Sequence, residues 1–302
     1  MLYEKSIEYK EGMSMATNKI KLKLQGHEKF LLREGWINKA LITLPNIPDA
    51  FTRKDAPDIF GIGSNMVKSL RYWMRAFGLT QEKGSAGIQL TEMGEIIAKY
   101  DPYLEKYFTL WIMHSFIAKN KEDATTWFMY FNHCDESDLE KNEIYKILLR
   151  EVTKYAEGRK FSEKSLSSDI DVLLNMYSKN KTNEDPEEKN ISPFSQLALI
   201  KNVDGKYVRK HPDKRKFSEL LILYELVLMM GDSESISIED AIYRENGLAS
   251  IYNLTSVMAN DYFDRLDAAG YIRVNRTAGI DMIYLVKKIK AVEILENYYK
   301  NY

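Results

Sequence analysis

In residues 19–25 (KIKLKLQ), Ile20, Leu22 and Leu24 alternate with Lys19, Lys21 and Lys23, and this period of two predicts a half-buried strand. Gly26 ends it. Over residues 32–44 the apolar positions Trp36, Ile37, Ala40, Leu41 and Leu44 recur at helical spacing, and Pro45 closes this first helix because its ring cannot continue the hydrogen-bond ladder. A short apolar and polar stretch covers residues 55–62, and Gly63-Ser64 then turns the chain into a longer helix over residues 65–77. At about 100° per residue this helix gathers Met66, Leu70, Trp73, Met74 and Phe77 on one side. Asn65, Lys68, Ser69 and Tyr72 fall opposite, with Arg71 and Arg75 on the shoulder, so one face packs and the other is free and basic. Residues 78–80 and 88–90 read as two short strands around the loop 81–87, and Thr91 caps a helix over residues 93–100.

Helix, short helix, turn, long helix and two-stranded ribbon, in that order, make a winged helix-turn-helix layout. Residues 102–177 are dense in apolar side chains at helical spacing, among them Tyr107, Phe108, Trp111, Trp127, Phe131, Leu148 and Val152, which predicts a helical bundle. Residues 178–192 carry one apolar side chain, Ile191, among many charges, as a solvated linker does. Beyond them, helices over 217–230, 237–245 and 255–269 lead to strands at 271–274 and 283–286 around a turn at 277–281, and to a last helix over 288–299. The expected fold class is mainly α with small β ribbons. It comprises an N-terminal arm and strand (1–25), a winged helix-turn-helix (26–100), a helical domain ending in a charged linker (101–200) and a C-terminal winged-helix-like module (201–302).

Composition narrows the class. With 302 residues, 43 basic against 44 acidic side chains and 45% hydrophobic residues, the chain is neither disordered nor fibrous, and its length predicts several small cores. One cysteine leaves no intrachain disulfide and no Cys-based zinc site. No apolar run is long enough to cross a membrane, and residues 1–10 lack the apolar core of a secretory signal, so a cytoplasmic protein without membrane contact is expected. A net charge of −1 argues against indiscriminate coating of nucleic acid, yet the charge is uneven. Residues 1–100 hold 15 basic and 11 acidic side chains, residues 101–200 hold 13 and 18, and residues 201–216 pack seven Lys or Arg against two Asp. Local patches of this kind bind phosphates because salt screens distant charge beyond about 8 Å.

The helix over 65–77 carries the clearest chemistry. A major groove accepts one helix, Asn and Arg pair with base edges, and Lys or Ser reach phosphates, so Asn65, Lys68, Ser69, Arg71, Tyr72 and Arg75 are the candidate DNA contacts. His27, Glu28 and Arg33, between the first strand and helix, are candidates for a phosphate or metal contact, or else satisfy loop backbone. On the helix over 255–269, Asn260, Asp261, Asp264 and Asp267 point outward, and three carboxylates repel a phosphate groove, which predicts a structural or protein-binding role. Arg273 and Arg276 in its wing keep the capacity to touch a backbone. Asn132-His133-Cys134-Asp135 lacks an orienting partner for thiol chemistry, the aromatic residues Trp111, Trp127, Phe128, Tyr130 and Phe131 read as core rather than a base-stacking platform, and Gly61-Ile62-Gly63-Ser64 lacks the lysine of a P-loop.

The blocks Gly26-His27-Glu28-Lys29-Phe30-Leu31-Leu32-Arg33-Glu34-Gly35-Trp36, residues 61–73 (GIGSNMVKSLRYW), 101–105 (DPYLE) and 109–114 (TLWIMH) resemble the signature stretches of a bacterial family of unknown function, the SspB-like proteins. Weaker matches run through Asp171-Val172, Glu184-Asp185 and Thr277-Ala278-Gly279, so the resemblance spans about residues 20–300. Such proteins are encoded beside phosphoadenosine-phosphosulfate (PAPS)-reductase-like proteins in DNA phosphorothioation and phage-defence clusters. The resemblance therefore implies a DNA-binding component of an antiphage system, with strand nicking as its implied reaction and a PAPS-reductase-like sulfurtransferase or an ATPase as its implied partner. A metal-dependent nick would use Mg²⁺ or Mn²⁺ on converging carboxylates. Asp169, Asp171, Glu184 and Asp185 are the acidic positions in question, although Asp169 and Asp171 diverge by about 200° on a helix, and solvated charge with a helix cap at Ser167-Ser168-Asp169 is the competing expectation. The resemblance brings no catalytic map. The alternative function is a non-catalytic adaptor that recruits such a partner to DNA.

Overall fold

The computed structural model describes residues 21–83, 87–179, 191–277 and 279–301. The chain is mainly helical, 54%, with small antiparallel sheets. Its N-terminal part runs α1 (Trp36–Thr43), α2 (Ala56–Phe60), α3 (Ser64–Ala76), β1 (Thr80–Glu82), β2 (Ile88–Leu90) and α4 (Glu92–Tyr100). The first helix starts at Trp36, the first of its spaced apolar positions and four residues into the stretch 32–44, because Gly35 at φ +80 sets a left-handed break before it. Thr91 caps α4 as expected, its side chain accepting from the Gly94 backbone N–H. The middle holds α5 (Tyr107–Lys119), α6 (Thr125–His133), β3 (Leu139–Glu140), α7 (Lys141–Ala156) and α8 (Glu163–Ser178). Then follow β4 (Ile200–Val203), β5 (Lys206–Arg209), α9 (Glu219–Met230), β6 (Ser235–Ser237), α10 (Ile238–Tyr243), α11 (Leu248–Tyr252), α12 (Ser256–Ala268), β7 (Ile272–Thr277), β8 (Ile280–Leu285) and α13 (Ala291–Asn301).

Among the described residues the strands form three antiparallel sheets, in the orders β1-β2, β3-β5-β4 and β6-β8-β7. The β4–β5 hairpin turns on Asp204 and Gly205, both at positive φ, the two-residue turn whose twist suits paired strands. Residues 21–24 depart from the strand expected of their alternation, while Lys19 and Ile20 lie outside the described residues. Leu22 and Leu24 do pack against the core, but side chains pin the backbone. Thr125 Oγ1 accepts from Lys23 N (3.0 Å), Asp169 Oδ1 accepts from Gln25 N (2.8 Å), and the Tyr155 hydroxyl donates to the Lys21 carbonyl (3.2 Å). The linker expected at 178–192 is shorter than its composition implied, since Ser178 still belongs to α8 and Ile191 and Ser192 are buried; residues 180–190 lie outside the described set.

Instead of several small cores, the buried side chains form one connected cluster from Leu32 to Tyr299. The last helix closes it, with Tyr299 stacked on Tyr100 at 5.7 Å and Tyr298 on Phe108 at 3.8 Å. Buried polar groups knit it further. On α9, Glu225 accepts from Ser115 Oγ (2.5 Å), Tyr252 Oη (2.8 Å) and Lys119 Nζ (2.7 Å). Asp101 accepts from the backbone N–H groups of Glu105 and Lys106 and from Thr109 Oγ1, which also bonds the Tyr299 hydroxyl (2.6 Å).

Candidate nucleic-acid interface

The 13-residue helix α3 starts directly after Gly61, at φ +61, and Gly63. Val67, Leu70, Trp73 and Met74 are buried, and Met66 packs at their margin. The outward side holds fewer polar residues than the helical projection assigned to it. Asn65, Lys68 and Arg75 are exposed and Arg71 partly so, whereas Ser69 is fully buried and Tyr72 half-buried. Neither Ser69 nor Tyr72 is therefore displayed to a groove. For Tyr72 the reason is a second layer on α3, since residues 26–27 cover the flank that a single packing face would leave open. Tyr72 meets the edge of His27 at 5.9 Å, and a Cβ on Gly26 would lie 2.4 Å from the Tyr72 ring. Burial, with Asp169 and Asp123 nearby, pushes the Tyr72 hydroxyl well above its ordinary pKa.

The exposed cations of α3 are tied loosely. Arg71 donates to Glu82 on β1 (2.8 Å), Arg75 to Asp123 (3.0 Å), and Lys68 to the Asn65 side chain (3.3 Å). Arg71 holds the Glu82 carboxyl below its usual range, first through that hydrogen bond. Such solvated pairs are weak and screened by salt, so a competing polyanion can replace them.

His27 and Asp169 form a buried pair rather than an accessible contact. His27, fully buried, donates from Nε2 to Asp169 Oδ1 (2.8 Å) and stacks on Trp73 with ring centroids 5.6 Å apart. Thr126 Oγ1 fills the other Asp169 oxygen (2.8 Å). His27 therefore offers nothing to a phosphate or a metal from solvent, Glu28 is exposed in a left-handed turn at φ +50, and Arg33 lies 5.6 Å over Trp36. Asp169 likewise does not fit a metal role, its oxygens being taken by three donors, and Asp171 points outward to Lys141 (2.6 Å). The helix cap expected at residues 167–169 lies instead at Ser162, which accepts from Ser165 N. Glu184 and Asp185 lie outside the described residues. Among the described residues no three His, Cys, Asp or Glu side chains gather as a metal would require.

Cys134 is buried, and burial pushes its thiol up to about 11, away from reactivity. Trp111, Trp127, Phe128, Tyr130 and Phe131 are all core residues. The acidic side chains of α12 are answered by strand β7 and by the helix itself: Asp264 pairs with Arg276 (2.8 Å) and Asp267 lies 3.8 Å from Arg273, both on β7, and Asp261 pairs with Arg265 within α12 (3.0 Å). No helix among the described residues is long and apolar enough to cross a membrane.

These features define a mainly helical protein with small antiparallel sheets, a connected core among the described residues and a partly neutralised basic helix on its surface. The chain belongs to the DUF4007 family, described as a protein of unknown function, whose profile matches residues 24–299. No curated protein matches it by sequence. Two solved structures share the fold: an SspB crystal structure at TM-score 0.78 and a magnesium-ion-bound SspB crystal structure at 0.77. Each is 22% identical, and the match covers 92% of this chain and 88% of theirs.

Proposed function

We propose that this chain is a DNA-engaging component of a phosphorothioation-linked antiphage system, with α3 as its groove-facing element in a winged-helix-like N-terminal module. One observation carries the reading: Asn65, Lys68, Arg71 and Arg75 lie on the solvent side of a helix whose other sides are locked in the core, beside the short β1–β2 ribbon. Lys68 and Arg75 would meet phosphates, and Asn65 and Arg71 would meet base edges or phosphates. Binding to a duplex is measured across salt concentrations for the wild type and for Lys68→Gln with Arg75→Gln. Removing two phosphate contacts weakens binding and flattens the slope of log affinity against log salt by about 1.8. Unchanged affinity and slope would sink the assignment.

Strand nicking is the reaction proposed by analogy, tested as conversion of supercoiled plasmid to open circles with Mg²⁺ or Mn²⁺ against EDTA. Absence of nicking alongside salt-sensitive binding favours the adaptor reading. That reading also draws on the exposed apolar side chains Tyr243, Val257 and Val286, of which Val257 is 79% exposed, as contacts for a PAPS-reductase-like or ATPase partner. A purified partner that binds the wild type and Val257→Asp equally would exclude Val257 from such a contact.

A further inference from the structure

A cavity of about 510 Å³ lies between the C-terminal end of α6, strand β5 and the loop entering α12, and the DNA reading above makes no use of it. Its volume is that of a small-ligand site. Arg209 on β5 lines it and is held entirely by neutral groups: its guanidinium donates to the carbonyls of Phe131 (3.4 Å) and Ser250 and lies 5.4 Å over the Phe131 ring. No carboxylate stands within ion-pair distance of it among the described residues, and its Nε is buried without a hydrogen-bond partner there. It thus has no direct ion-pair partner there, in contrast to Arg71 and Arg75 on α3, and Asp135 acts on its charge only from beyond that distance.

The rest of the lining adds donors. His211 is exposed and donates from Nδ1 to the Asn253 carbonyl, so its Nε2 offers a proton to an anion when the ring carries its second proton. Thr255, the N-cap of α12, closes one side, and the first turn of this 13-residue helix carries no acidic side chain, so the positive end of its dipole is not opposed locally. Asp135 and Glu245 also line the cavity, but Glu245 leans toward His133, with Oε2 3.8 Å from Nε2. A guanidinium without an ion-pair partner, an imidazole that donates from Nε2 in its protonated form and a helix N-terminus around one small polar cavity are complementary to a tetrahedral anion.

We propose that this cavity binds a phosphate group, whether free, on a mononucleotide or in a DNA backbone. The test uses the full chain, with inorganic phosphate and adenosine 5′-monophosphate titrated by calorimetry at constant ionic strength. Saturable binding is expected, weakened at least about tenfold in both Arg209→Met and His211→Ala, as loss of a charge-assisted contact requires. His211 is exposed, so its variant keeps the result readable if Arg209→Met fails to fold. Lys68→Gln with Arg75→Gln keeps phosphate binding, which separates this site from α3. Duplex affinity that falls in His211→Ala identifies the source as the DNA backbone, and unaltered duplex affinity identifies a free phosphate or mononucleotide. No saturable heat below about 10 mM phosphate, or binding unchanged in His211→Ala, overturns the proposal.

Discussion

Acidification from about pH 7.5 to about pH 5 should cost this protein about 2 kcal/mol of stability through His114 alone. His114 lies fully buried on α5, where its Nε2 donates to the Ile251 carbonyl (2.8 Å) and its Nδ1 accepts from the Tyr177 hydroxyl (2.7 Å). Both ring nitrogens are thereby used by the neutral form, and a second proton would face a hydroxyl already donating. Burial pulls its pKa down from 6.5 to about 3, with repulsion from Arg209 and Lys119 acting in the same direction and the Ile251 carbonyl opposing. The unfolded imidazole takes up a proton near its ordinary value while the folded one does not, so the unfolded state binds more protons throughout that interval. Stability is therefore complete above about pH 6.5 and is lost as the pH falls toward 3, at about 1.4 kcal/mol per unit. Urea unfolding at several pH values, for the wild type and His114→Gln, isolates this group from carboxylates that titrate lower. The variant starts less stable, yet its loss between the two pH limits is smaller than that of the wild type by about 2 kcal/mol, with equal m-values. Equal losses in the two proteins would refute the reasoning.

Asp169→Ala strands three donors, Gln25 N, His27 Nε2 and Thr126 Oγ1, and should cost about 3–5 kcal/mol in chemical denaturation; a loss under about 1 kcal/mol would show that the pair is not built as described. In Gly94→Ala the new Cβ would stand 2.2 Å from the Leu79 carbonyl oxygen, so α4 must move off the backbone that precedes β1 at a cost of about 1–3 kcal/mol, and wild-type stability would contradict this contact. Cys134 should resist iodoacetamide near pH 8 in the native protein and react fully in denaturant, while rapid native labelling would rule out its buried state. Glu82→Gln combined with Asp123→Asn frees Arg71 and Arg75 from their carboxylates, and duplex affinity should rise by about 2–10-fold at low salt; a fall would argue against α3 as the contact.

Long periodic elements were legible from the chain, and short ones pinned by tertiary partners were not. The α3 and α12 helices appear close to where apolar spacing puts them, each behind a readable start in Gly63-Ser64 and Thr255. Residues 21–25 carry a strand pattern, but the side chains of Thr125, Asp169 and Tyr155 take their backbone groups. The Asp204-Gly205 hairpin had a local signal that the dense positive charge of residues 201–216 obscured, and β3, two residues long, had none. Tyr72 looked outward because a projection knows only one packing face, and nothing in the local spacing announces that residues 26–27 return over α3. The cavity beside Arg209 joins residues about 120 apart in sequence, such as His133 and Asn253, so no motif could reveal it.

The stretches through which the chain resembles its family end in buried joints between distant segments. His27 meets Asp169, Thr109 meets Asp101 and Tyr299, His114 meets Tyr177 and Ile251, and Gly26 admits the Tyr72 ring. The first three joints satisfy polar groups that would otherwise be orphaned in a low-dielectric interior, where breaking one side costs more than the bond itself contributes, and the fourth is a close steric fit. Those residues therefore specify how the N-terminal helices, the middle bundle and the last helix assemble. It follows that lost activity in a variant at Asp101, His114 or Asp169 says nothing about chemistry unless the fold is shown to survive. Function is better sought at residues whose removal leaves every joint intact: Lys68, Arg71 and Arg75 on α3, and His211 at the opening of the cavity.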